Sequence, residues 1–78
     1  MTDPLGRAVS QTIAQHSDVV ERWLANQPGA WGMLAGQGVL TYRELLGRKL
    51  DESERRQVWA ALWAALQELR ETRSRMSQ

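Results

Sequence analysis

An all-α fold, a small helical bundle, is what the sequence predicts, on three observations. The stretch 50–76, LDESERRQVWAALWAALQELRETRSRM, keeps strict helical time in its apolar residues. Capping signals stand ahead of apolar runs at Asp3-Pro4, at Thr41 with Glu44 and at Asp51 with Glu54. No segment alternates polar and apolar residues long enough to make a strand. The expected arrangement is two longer antiparallel helices joined by two short ones, with a long C-terminal helix, in one domain over residues 1–78.

The first helix opens on Asp3 as N-cap with Pro4 at the first helical position, where the missing N–H is no loss. Leu5, Val9, Thr12 or Ile13, His16, Val19 or Val20, and Trp23 recur on one face, which predicts a single helix from Pro4 to Asn26. Ser17 and Asp18 interrupt that rhythm, and Asp18 with Glu21 repeats the cap pattern, so a restart near residue 17 is the alternative. Gln27-Pro28-Gly29 ends the element.

A short helix is expected next, with Trp31, Leu34 and Ala35 on one face and Gly36 or Gly38 as a left-handed C-cap. Gly32 and Gly36 have GxxxG spacing, but the run is far too short to cross a bilayer and reads as a tight contact or turn. The second short helix is expected to begin at Tyr42 and reach about Arg48. Thr41 is its N-cap, Glu44 the capping-box partner, and Leu40 and Leu45 the hydrophobic staple.

The last helix is predicted from about Glu52 to Arg75, ~36 Å long at 1.5 Å per residue. A compact chain of this length has a radius of gyration of ~11 to 12 Å, so residues 70–78 are expected to project or fray. Trp59, Leu62, Leu66, Leu69 and Met76 form its apolar seam, widened by Val58, Trp63 and Ala65, and Trp59 and Leu62 are expected in the main core. Arg56, Gln57, Ala60, Ala64, Gln67, Glu71 and Ser74 lie on the opposite face. Asp51, Glu52 and Glu54 at one end, and Arg70, Arg73 and Arg75 at the other, complement the helix dipole.

Composition narrows the function classes. The chain has no Cys and one His, so it lacks the thiolate and imidazole ligands of the common transition-metal sites, and no cofactor is expected. His16-Ser17-Asp18 is no catalytic triad, since neighbours on a helix point about 100° apart; His16 reads as structural. The glycines follow no strand and lead into no phosphate-loop lysine, and the acidic residues at 51–54 are explained as caps. No enzyme activity is expected. The N-terminus lacks a basic segment followed by an apolar one, and no apolar run spans a membrane, so the chain reads as cytoplasmic.

Two surfaces remain as candidates. Four Trp and no Phe are generous for 78 residues, and the C-terminal stripe is more than a first helix of moderate apolarity covers. Trp63, Leu66, Leu69, Ala61 and Ala65 are therefore the expected partner interface, of a homodimer or with another helical protein. The alternative is a helical nucleic-acid binder using the basic cluster Arg48, Lys49, Arg55 and Arg56. Glu44, Asp51, Glu52 and Glu54 stand among those cations and weigh against phosphate.

Overall fold

The computed structural model describes residues 3 to 76. Helix α1, Pro4–Gln15, starts as its sequence requires, with Asp3 Oδ1 accepting from the Gly6 N–H at 2.7 Å. It does not continue to Asn26. His16 leaves the helical conformation (φ −123°, ψ 43°), and its carbonyl accepts from both Val19 and Val20, each at 3.0 Å. The chain restarts there as α2, Ser17–Leu24. The break turns Val19, Val20 and Trp23 into the core that Val9 of α1 also enters. Asp18 does not cap the restart; it lies inside α2 and pairs with Arg22 at 3.7 Å.

A Schellman-type stop ends α2. Asn26 takes the left-handed conformation (φ 61°), its N–H donates to the Trp23 carbonyl at 2.9 Å, and that of Gln27 to the Arg22 carbonyl at 2.9 Å. Gly29, also left-handed (φ 87°), then admits α3, Ala30–Leu46. Here the expectation of two short helices is wrong, for α3 is one helix of 17 residues. Gly36 and Gly38 are helical rather than caps, and Thr41 and Glu44 are interior rather than a capping box. The reason is tertiary. A Cβ on Gly38 would lie 3.0 Å from Val58 Cγ1 and 3.5 Å from Leu62 Cδ2, so glycine is what lets α3 close onto α4. That packing outweighs the ~1 kcal/mol each glycine costs a helix. The C-cap is Gly47, left-handed at φ 72°.

Helix α4, Glu52–Met76, matches its expected span. The capping box is reciprocal: the Glu54 N–H donates to Asp51 Oδ1 at 2.8 Å, and the Asp51 N–H donates to Glu54 Oε1 at 3.0 Å. The helix runs antiparallel to α3, since Gly38 faces Val58 and Leu62 while the earlier Trp31 meets the later Trp63. It is tied down further than its length alone suggested. Arg73 Nη1 donates to Glu21 Oε2 of α2 at 2.7 Å, and its Nη2 pairs with Oε1. Residues 77 and 78 of the expected projecting end lie outside the described residues.

Val58, Leu62 and Leu66 are the fully buried side chains of α4. Leu62 is in the core as its spacing implies, but Trp59 and Met76 of the same seam are not, being 41% and 79% exposed. At the level of Gly38 the helices approach too closely for an indole, and the stripe turns so that Val58 fills that position. The core has two parts. Val9, Val20, Trp23, Leu34, Leu62 and Leu66 dominate one, and Ala8, Tyr42 and Val58 the other. Thr12, fully buried beside Gly38, is satisfied by donating to the Ala8 carbonyl at 2.8 Å. The bundle measures 43 × 30 × 20 Å, with a radius of gyration of 12.7 Å.

Candidate interaction surface

Once Val58, Leu62 and Leu66 point inward, helical phase decides what α4 turns outward. Trp59 and Trp63, one turn apart, are 41% and 45% exposed, and Ala60 and Ala64 beside them are exposed as well. Gln67 continues the same face, half-buried. The result is an apolar strip with two large side chains alternating with two small ones.

Trp63 is held in place by its inner edge. Its ring meets Trp23 edge-on at 5.7 Å between centroids and Trp31 at 5.1 Å. Arg70 lies over the Trp23 ring, its guanidinium 4.0 Å from the ring centroid. It also donates to the Trp23 carbonyl at 3.4 Å and to Asn26 Oδ1 at 3.2 Å, capping the end of α2. This cluster borders an open depression of about 420 Å³ at the α2–α3 junction. The exposed part of Trp63 is thus presented on a fixed ring.

The residues expected at the partner interface divide. Leu66 is 0% exposed and offers no surface to a partner, which corrects that assignment. Ala61, Ala65 and Leu69 pack against the core as half-buried residues; Ala65 and Leu69 keep an edge on a shallow depression shared with Glu68 and Thr72. Only Trp63 of the five is openly exposed. The small residues that face outward are instead Ala60 and Ala64, one position earlier on each turn. Their spacing puts them on the face opposite the apolar seam, which does not by itself join them to the Trp pair. Met33 and Leu40 of α3, 50% and 41% exposed, were missed because their helix was expected to break between them.

The basic cluster is partly neutralised. Arg48 makes a two-pronged pair with Glu54, Nη1 to Oε1 at 2.7 Å and Nη2 to Oε2 at 2.5 Å. With the Asp51 N–H this holds the Glu54 carboxyl down at about 2. Arg56 pairs with Glu52 at 3.0 Å. Lys49 and Arg55 border a small depression with Val39, Arg43 and Leu50, and among the described residues neither has an ion-pair partner. No helix among the described residues is long and apolar enough to cross a membrane.

What fold and surface define is a class, a small all-α protein with four helices among the described residues and an uncovered Trp/Ala face on the longest of them. Comparisons with family models, with curated proteins and with solved structures find no match for this chain.

Proposed function

We propose that the protein is a protein–protein interaction module that self-associates through the outer face of α4. The observation that carries this reading is the exposure of Trp59 and Trp63 side by side, at 41% and 45%, next to exposed Ala60 and Ala64. Tryptophan side chains bury 150–250 Å² each, and they are among the residues that most often dominate interface energetics. Alanines beside them let a second helix approach closely while the indoles fill the space around it. The nucleic-acid alternative has less support, since Arg48 is held in a two-pronged pair by Glu54, and Glu44, Asp51 and Glu52 stand among the remaining cations.

Sedimentation equilibrium at two loading concentrations tests the reading. The wild type is expected to be dimeric in the micromolar range. Ala64→Lys, a substitution on an exposed helical position, is expected to be monomeric with unchanged helicity. A wild type that stays monomeric at high micromolar concentration overturns the proposal.

A further inference from the structure

One row of outward residues on α4, with the exposed Arg55 and Glu68 beside it, carries an ordered charge pattern. Glu52, Arg56, Ala60, Ala64, Gln67, Glu71 and Arg75 follow one another at steps of three or four, and all are exposed except the half-buried Gln67. The signs run minus, plus, an uncharged centre with Trp63 beside it, then minus, plus. Reversing the direction of the helix inverts every sign. We infer that the partner of this face is a second copy of the same helix, packed antiparallel about a twofold axis between Trp63 and Ala64. This rests on the self-association proposed above and adds its geometry.

In that register Glu52 faces the partner's Arg75 and Arg56 faces the partner's Glu71, each pair of opposite sign and each occurring twice by symmetry. Trp63 lies over the partner's Ala64, a large side chain against a small one. A parallel pairing would set every charge against its own copy. The ion pairs within the chain are consistent with the antiparallel choice. Glu52 and Arg56 are joined at 3.0 Å, whereas Glu71 and Arg75, at the same spacing, form no ion pair among the described residues. Glu71 and Arg75 are therefore open to the Arg56 and Glu52 of a mate, which would complete a four-charge cluster at each end. The other exposed apolar face, Met33 and Leu40 on α3, has no such charge order, with Arg43 and Glu44 at one end only.

The chain has no cysteine, so single introduced cysteines report the register directly. Paired residues sum to 127, which puts Ala64 within ~2 Å of its own copy along the axis and Ala60 about 10 Å from its copy. A disulfide needs Cα atoms within about 7 Å. On mild oxidation Ala64→Cys is expected to crosslink as a dimer and Ala60→Cys to stay uncrosslinked. Glu71→Arg is expected to weaken dimerisation about tenfold, and adding Arg56→Glu to recover most of that loss. A wild-type dimer in which Ala60→Cys crosslinks as readily as Ala64→Cys, or in which Glu71→Arg has no effect, overturns the antiparallel register and leaves self-association standing. A wild-type monomer removes both.

Discussion

A single glycine sets how the main helices meet. Gly38 is the point where α3 closes on α4, and a Cβ added there would meet the buried side chains of Val58 and Leu62. Gly36, half a turn earlier, has nothing within 4 Å of where a Cβ would sit. The same substitution should therefore act in opposite directions. Gly36→Ala is expected to stabilise by roughly 0.4 to 1 kcal/mol, because alanine restricts the unfolded chain and favours helix. Gly38→Ala is expected to destabilise, since forcing a methyl into a packed interior costs about 1 to 3 kcal/mol and the helix-propensity gain offsets only part of that. Urea unfolding of the two variants measures the difference; equal effects would mean that α3 and α4 are not in close contact at Gly38. Leu62, 0% exposed, tests the core from the other side: Leu62→Ala should cost about 2 to 5 kcal/mol, and a loss below ~0.5 kcal/mol would place this face of α4 outside the core. At this scale the sequence was readable to within one helical position. The seam through Leu62, Leu66 and Leu69 was found, but the choice between Val58 and Trp59 at its start depends on the Gly38 contact, which involves another helix.

Elements whose ends are made by their own residues were legible, and those shaped by neighbours were not. Asp51 and Glu54 cap α4 within four residues of chain, and the pattern is visible in sequence for that reason. Thr41 and Glu44 spell the same pattern, yet α3 runs through them, because its contacts with α1 and α4 favour a continuous helix over a local cap. The restart at His16 was readable only as an alternative, since the apolar rhythm passes through it and the turn is set by the shared core of Val9, Val19 and Val20. The outer face of α4 was half legible. The spacing singles out Trp63, which is exposed, whereas it puts Ala60 and Ala64 on the solvent side without joining them to the Trp pair.

The cap of α4 also has a pH signature. Arg48, followed by the Asp51 N–H, holds the Glu54 carboxyl at about 2, below its ordinary 4.5. A carboxyl with a depressed folded-state pKa binds its proton more readily when unfolded. Its contribution is therefore full above about 4.5 and is lost as pH falls from there toward about 2. Glu21, lowered by its hydrogen bonds from Arg73, acts in the same direction. In Glu54→Gln the acid-side decline in stability between pH 5 and pH 2 is expected to be shallower than in wild type, by comparison of urea midpoints along the pH series. Parallel declines in the two proteins would show that the Arg48–Glu54 pair does not couple to folding.

Over the whole molecule, α4 is 25 residues long in a body whose longest dimension is 43 Å, so one helix presents its outer face along most of the protein. The other three helices cover its inner side only. If a second copy covers the outer side, folding and association are one equilibrium and stability depends on protein concentration. A tenfold rise in concentration stabilises a dimer by about 1.4 kcal/mol, or ~0.7 kcal/mol per chain. For a domain of this size, where 1 kcal/mol moves the melting temperature by roughly 4 to 8 °C, the expected rise is about 3 to 6 °C per decade. Ala64→Lys should abolish the dependence while leaving a cooperative melt. Leu66→Glu would be a poor control, since Leu66 is at the centre of the core and its loss would unfold the chain rather than separate two copies. A wild-type melting temperature that is unchanged across two decades of concentration, measured by circular dichroism at 222 nm, would contradict coupling between folding and self-association.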